Sequence, residues 1–459
     1  MRRTVVTAVL LAAGLVFMSP GFAAQERSQA ERAMKAEKAG FAKAKAAGAR
    51  QSAGMGDFEP CVNGMAAGTY PCDNIDLMSH VPLDELGLSF VNDMWGWTDS
   101  GKRGKGKKAR KGGKTDYALV GGTEGTVIVD ISRPTAPDVI GILPSHSLAG
   151  GQFWRDIKVY KHYMFVVSEH TGHGLQVFDL KEIRNATGDY TVFEETAHYD
   201  GFGNSHNLNI NTDTGYAYAI GTSTCEGGLH MVDLSDPTNP TFAGCFAGHG
   251  YFHDTQCVTY KGPDREHRGR EICFSSNAQP HHDPQPDDPL LNALSIVDVT
   301  DKANPVVLSQ TEYPNDGYSH QGWLVPGQKY FLHGDELDEV EHGINTTTRV
   351  WDVRDLDDPE MILEWANDTT SIDHNMYTEG RHVYQSNYTS GLRILDTSRV
   401  SRPDLREVAF FDVYPENDNP SFEGGTWSNY PYYRGEHFVA VSSIDRGLFV
   451  LQPKAGLRR

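Results

Sequence analysis

The sequence lacks the signatures that usually announce an enzyme. It has no GxSxG elbow, no HExxH helix, no Walker-type loop and no Rossmann glycine fingerprint. Serine-nucleophile hydrolysis and nucleotide binding therefore have no positive support. No CxxC pair is present, which leaves thiolate metal centres without their usual spacing. Positive charge is scarce: 41 Lys and Arg stand against 61 Asp and Glu, for a formal charge of −20. Such an acidic surface repels nucleic acid, and no nucleic-acid partner is expected. After Met18 no stretch is apolar enough to cross a bilayer, so no transmembrane segment is expected beyond the start of the chain.

That start reads as a secretory signal over residues 1–24. Arg2 and Arg3 open it, Val5 to Met18 is nearly all apolar, and Gly21, Ala23 and Ala24 suit cleavage. Its removal takes the charge from −20 to about −22. The expected product is soluble and secreted, periplasmic or held in the cell envelope. Residues 25–56, rich in Ala, Lys and Glu, read as a helical or disordered lead. Residues 57–453 form the repeat body, and 454–459 a short basic tail without a sorting or lipidation signal. Lys102 to Lys114 is a Gly/Lys/Arg tract, read as a solvated hairpin tip or a basic patch for an anionic surface.

Six cysteines follow the signal, and an even number in an exported chain points to disulfides. Nearest-neighbour pairing is expected. Cys257 and Cys273 lie in two strands around a turn-rich segment, Cys225 and Cys245 flank one repeat strand, and Cys61 and Cys72 close a small loop.

The strongest signal is self-similarity. Gly125–Asp130 (GTVIVD), Gly174–Asp179 (GLQVFD), Gly228–Asp233 (GLHMVD), Ala293–Asp298 (ALSIVD), Thr347–Asp352 (TTRVWD), Gly391–Asp396 (GLRILD) and Gly447–Gln452 (GLFVLQ) align as seven copies. Their spacing of roughly 45–65 residues is near the blade length of β-propellers. Each copy is rich in β-branched and aliphatic residues, as buried strands are. After the aspartate come a turn, usually a proline, and another apolar strand. An aspartate there can accept a backbone N–H two residues on, so these six aspartates read as turn locks rather than catalytic acids. The seventh copy ends without a following strand, while Ile75 to Val81 is an orphan strand of that kind. The expected fold is an all-β, seven-bladed propeller whose N-terminal strand closes the last blade and removes an open edge.

One strand upstream a second element recurs: Ser205-His206-Asn207, Phe252-His253-Asp254, Ser319-His320-Gln321 and Asp373-His374-Asn375. The corresponding places elsewhere hold Asn92-Asp93, Arg155-Asp156 and Trp427-Ser428. The first strand of each propeller blade lines the central channel, so these positions should converge at one mouth. His206, His253, Asp254, His320, Asp373, His374, Asp93, Arg155 and Asp156 are the candidate ligand-binding residues. Imidazoles with carboxylates suit a divalent metal, zinc for a nitrogen-rich set. The alternative is a polar girdle bonded to itself and to water. The run His333 to Glu339 (HGDELDE) is the densest acidic segment, and its oxygens suit calcium, although the spacing is not that of an EF-hand. Asp335 and Glu336 join the four histidines as candidate metal ligands. His281 and His282 mark an exposed turn that could take up metal adventitiously.

The motifs taken together resemble the choice-of-anchor B family of exported LVIVD-repeat proteins. The resemblance runs from about Cys61 to Gln452. It is carried by Cys245 with His253-Asp254-Thr255-Gln256-Cys257, Gly262-Pro263-Asp264, Gly269-Arg270-Glu271-Ile272-Cys273, Ser319-His320-Gln321-Gly322-Trp323, Gly334-Asp335-Glu336-Leu337-Asp338-Glu339 and Ile372-Asp373-His374-Asn375. It implies an extracytoplasmic propeller and brings no reaction with it. Two functions follow as expectations. One is a binding or scaffold module for an unidentified envelope or extracellular ligand, with a metal or small-ligand site at the channel mouth. The other is a metal-dependent hydrolase, lactonase or oxidoreductase using the same histidines, with Asp254 or Asp373 as base.

Overall fold

Each of the seven repeated segments forms the third strand of its own antiparallel sheet: Gly125–Asp130, Leu175–Asp179, Leu229–Asp233, Ala293–Asp298, Thr347–Asp352, Leu392–Asp396 and Gly447–Pro453. The computed structural model describes residues 58–101, 114–150, 153–186, 190–278, 292–433 and 437–457. The expected signal, the lead, the basic tract up to Gly113 and the His281-His282 turn lie outside the described residues.

The sheets, blades one to seven, stand in a ring. Their first strands are Val91–Asp99, Arg155–Tyr160, Asn207–Asn211, Phe252–Thr259, Ser319–Leu324, Asn375–Glu379 and Thr426–Tyr430. Each first strand packs against the next, and the seventh against the first. The second and third strands are apolar on both faces because a blade is covered by its two neighbours. Leu119 and Ile128 of blade one meet Ile157, Met164 and Val166 of blade two. Phe274 and Ile296 of blade four meet Phe331 and Trp351 of blade five.

The N-terminal segment closes the ring as expected. Ile75–Val81 is the outer strand of blade seven, with Ile75 opposite Pro453 and Val81 opposite Leu448. His80 in this strand lies 2.7 Å through Nε2 from the Arg446 carbonyl oxygen and stacks on Phe449 at 4.2 Å. Burial pushes its pKa down to about 4. A second clasp was not foreseen. Tyr70–Asp73 extends the outer edge of blade six, with Cys72 opposite Phe411. One segment thus fastens two blades, and the Cys61–Cys72 disulfide pins it.

The other disulfides are Cys225–Cys245 and Cys257–Cys273, the expected pairing. Cys257 and Cys273 face each other directly in blade four. All six repeat aspartates act as turn locks. Asp130, Asp179, Asp233, Asp298, Asp352 and Asp396 each accept the backbone N–H two residues on, at 2.7–3.1 Å.

Candidate functional site at the channel mouth

The histidine positions are re-aimed by backbone irregularities. The ladder of blade four slips between Phe252 and Asp254, and that of blade five between Ser319 and Gln321. His253 and His320 are therefore the extra residues of β-bulges, which turn a side chain out of the regular alternation. His206 and His374 stand immediately before the first strands of blades three and six. Successive rings lie 4.3 Å (His206 to His253), 4.0 Å (His253 to His320) and 4.4 Å (His320 to His374) apart. With Trp154, Arg155, Asn207, Asn375 and Trp427 they line a pocket of about 250 Å³, the open solvent at its mouth included.

Hydrogen bonds fix which ring nitrogen faces the pocket. His253 Nδ1 is 2.9 Å from the His320 carbonyl oxygen, and His374 Nδ1 is 2.6 Å from that of Trp427. A carbonyl only accepts, so each Nδ1 carries the proton and each Nε2 keeps a lone pair. Burial holds His253 and His320 well below the usual imidazole range and pushes His374 down to about 3. His206 differs. Its Nδ1 is 2.6 Å from Glu169 Oε1 and its Nε2 is 2.7 Å from His253 Nε2. Because His253 Nε2 is an acceptor, His206 Nε2 donates to it. Burial by itself would lower the His206 pKa, but the bond to Glu169 and the charges of Glu169, Glu336 and Asp254 raise it.

Glu336 completes the group from the end of the second strand of blade five. Tyr388 donates to its Oε1 at 2.7 Å. Its Oε2 lies 3.6 Å from His320 Nε2, and its Oε1 lies 3.7 Å from His374 Nε2. Burial pushes its pKa up to about 7. His253, His320 and Glu336 each offer one ligand atom, all within 4.8 Å of one another and all buried. Donor atoms around a tetrahedral zinc stand about 3.3 Å apart for Zn–N bonds of ~2.0–2.1 Å. The set therefore fits such an ion after shifts of about an ångström. Asp335 is placed otherwise: its two oxygens accept from Tyr313 Oη and from the backbone N–H groups of Gly317, Tyr318, Leu337 and Asp338, at 2.7–3.2 Å. It organises the loop around itself.

The carboxylates of the first strands lie along the same strands, one residue on from the histidine level. Asp93 and Asp156 accept from the backbone N–H groups of Ile157 and Leu208 in the following blades, at 3.2 and 2.6 Å. Lys158 pairs with Asp156 and lies 3.8 Å from Asp93. Asp254 feels both Asp156 and Lys158, and burial pushes its pKa up to about 7. Three carboxylates thus surround one buried ammonium. Asn209, Gln256 and Gln321 staple blades in the same way, each accepting a backbone N–H of the next blade at 2.8–3.0 Å. Further along the strands Trp95, Tyr377, Tyr430 and Tyr432 meet edge to face at 5.1–6.5 Å. Gly96 is required there, because a Cβ would fall 2.2 Å from the Tyr430 ring. Arg155 is buried, and its Nη2 donates to the Thr123 carbonyl at 3.2 Å.

Sequence reasoning missed Lys158 and Tyr388, whereas it set Trp154 beside Arg155 at the channel position and Glu169 in Ser168-Glu169-His170, one of the polar sets that end the second strands. The alternation of the first strand points Lys158 the same way as Asp156, a signal that was available. Tyr388 sits in a loop whose approach to the mouth no local pattern gives.

Comparison with known proteins gives the following. The LVIVD repeat family matches residues 114–143 and 210–247. No curated protein matches the chain. Among solved structures, the Cps50 (Swd1) β-propeller domain of Myceliophteria thermophila is 12% identical. The match covers 74% of this chain and 93% of that one, with a TM-score of 0.45. The computationally designed Ika8 protein is 10% identical, over 73% and 80% of the two chains, with a TM-score of 0.41. The chain is thus a seven-bladed β-propeller in which two segments, 114–143 and 210–247, match the LVIVD repeat.

Proposed function

We propose that this propeller is an extracytoplasmic binding module, of the choice-of-anchor B type, that holds a divalent transition metal at its channel mouth. The observation that carries the reading is the buried set His253, His320 and Glu336 with its ligand atoms within 4.8 Å. The Nδ1 bond of His374 leaves its neutral Nε2 lone pair for the ion, the arrangement that outer hydrogen bonds create around metal-bound histidines, and the lone pair of His253 Nε2, which accepts from His206, becomes available when His206 swings aside. His374 stands ready as a further ligand. Two imidazoles and one carboxylate suit zinc and leave a coordination position for a small ligand. The three disulfides and the signal-like start support an oxidising, extracytoplasmic setting. Elemental analysis of the purified mature chain should find one zinc per molecule, and zinc titration should show the site weakened in His320→Ala and His374→Ala. Absence of stoichiometric metal, with no zinc binding by the stripped protein, sinks the proposal.

A metal-dependent hydrolase or lactonase is the second reading, favoured by the His206–Glu169 pair beside the same three residues. An imidazolium held by a carboxylate and donating through its other nitrogen is a suitable general acid for a leaving oxygen beside a metal-activated water. Turnover of an ester or lactone that is lost in both His206→Gln and His320→Ala would favour this reading over pure binding.

A further inference from the structure

The channel-mouth pocket holds a cation that the metal ligands do not use. Arg155 lines the pocket and is 2% exposed. It is one of four arginines buried among the described residues. The other three are paired: Arg349 with Asp338 at 2.8 Å, Arg393 with Glu407 at 3.3 Å and Arg446 with Glu416 at 2.6 Å. Arg155 forms no ion pair. Its Nη2 donates to the Thr123 carbonyl, while Nε and Nη1 are buried without a hydrogen-bond partner among the described residues. Burial lowers its pKa only to about 10, so it stays charged at neutral pH. A buried charge left unpaired carries a heavy desolvation cost.

The carboxylates of this region are engaged elsewhere. Glu124, whose charge acts on Arg155, accepts from Ser89 Oγ at 2.6 Å and from the Ser89 backbone N–H at 3.3 Å. Glu169 is held by His206 at 2.6 Å and Glu336 by Tyr388 at 2.7 Å. Asp373 feels Asp338, Asp335, Arg349 and Glu336, and its backbone N–H lies 3.3 Å from Glu339 Oε1. His170 and His173 feel the charge of Arg155, but burial drives them down to about 4 and about 3, so both are neutral. The amide nitrogens of Asn207 and Asn375 are spent on the carbonyls of His253 and Trp427, at 2.9 and 3.2 Å. The Arg155 stem is packed tightly, since a Cβ on Gly121 would fall 2.9 Å from its Cδ. Trp154 and Trp427, with ring centres 6.5 Å apart, give the same pocket apolar walls.

We propose that Arg155 binds the carboxylate of a small organic acid in the channel-mouth pocket, with the acid's apolar part against Trp154 and Trp427. The planar guanidinium, with N–H groups still free, suits a carboxylate. One uncompensated positive charge matches a monoanion, whereas a phosphate dianion would bring a second charge that no free cation of the pocket meets. A pocket of about 250 Å³ admits only a small molecule. The inference deepens the binding-module reading and rests on it for the pocket, but not on the zinc.

The test is titration of sodium acetate into the full mature chain at constant ionic strength, read by calorimetry and tryptophan fluorescence, with the chain metal-free and then zinc-loaded. One acetate per chain is expected. Arg155→Gln should weaken binding at least about tenfold, and Arg155→Lys should weaken it as well, because an ammonium lacks the planar donors. Neutral acetamide, chloride and inorganic phosphate should each bind at least about tenfold more weakly than acetate. Without ligand, Arg155→Gln should melt no lower than wild type, because the charge it removes is uncompensated; a marked fall in Tm would assign Arg155 to structure instead. No acetate binding by the wild type, unchanged binding in Arg155→Gln, or chloride or phosphate bound as tightly as acetate would overturn the proposal. A chain that takes up acetate but no zinc defeats the metal reading alone, and one that takes up zinc but no acetate defeats this inference alone. If Arg155→Gln does not fold, Arg155→Lys supplies the readout.

Discussion

Two positions of the repeat make an instructive pair: the last residue of the third strand and the channel-facing residue at the start of the first. At the third-strand position six blades carry aspartate, and all six use it identically, as a lock on the following turn. At the first-strand position blades three to six carry His206, His253, His320 and His374, while blades one, two and seven carry Asn92, Arg155 and Trp427. The locked position serves a local need that every blade shares. The channel position serves the ring as a whole, and varying it puts imidazoles on one side of the channel only. Uniformity marks structure here, and asymmetry marks the site.

The comparison can be broken most sharply at the channel. His253→Ala combined with His320→Ala should abolish zinc binding, a loss of at least about 100-fold in affinity by titration, with the sheets retained by circular dichroism. Survival of tight zinc binding in that variant would move the site elsewhere.

Next in size is the acid response of the closing strand. The pKa of His80 is depressed to about 4 in the folded chain, against about 6.5 when unfolded. Below 6.5 the unfolded chain takes up the proton first. The stability is therefore intact above pH 6.5 and is lost as pH falls through about 4, on the order of 3 kcal/mol in all. His80→Gln should flatten that stretch of the stability-against-pH curve. The buried carboxylates raised to about 7, Asp254 and Glu336 among them, act with the opposite sign. They favour the fold at low pH and lose that contribution as pH rises through 7, so the difference between variant and wild type is the quantity to read.

The smallest effect belongs to the locked position. Asp233→Ala should cost about 0.5–1.5 kcal/mol in denaturant unfolding, through one lost backbone hydrogen bond, and leave zinc affinity unchanged. A change in zinc affinity there would erase the distinction between the two positions.

Much of this architecture could be read in the sequence because it rests on short-range physics. The alternation and β-branched content of GTVIVD or ALSIVD specify a buried strand, and the aspartate specifies the turn two residues later. Counting such units gives seven blades. The unmatched strand at Ile75 to Val81 and the strandless end at Gln452 imply each other. The cysteine pairs are close in sequence and bracket single hairpins or loops. The second clasp was not legible, because Tyr70–Asp73 is short and its partner, Arg406–Phe411, lies more than three hundred residues on.

The site was legible only in outline. Spacing brought the four histidines to one ring level, since equivalent positions of successive blades face one channel. Spacing did not say that Asp93, Asp156 and Asp254 sit beside that level around Lys158, or that Asp335 is consumed by five donors while its neighbour Glu336 reaches two histidines. Nor did it join Asp373 to Glu339. The sequence by itself determined the blade, its number of copies and its turn locks, because those depend on residues within one hairpin. The tertiary structure alone decided which polar side chains share a cavity. That depends on bulges that turn His253 and His320, and on contacts between blades whose residues stand 34 to 67 positions apart.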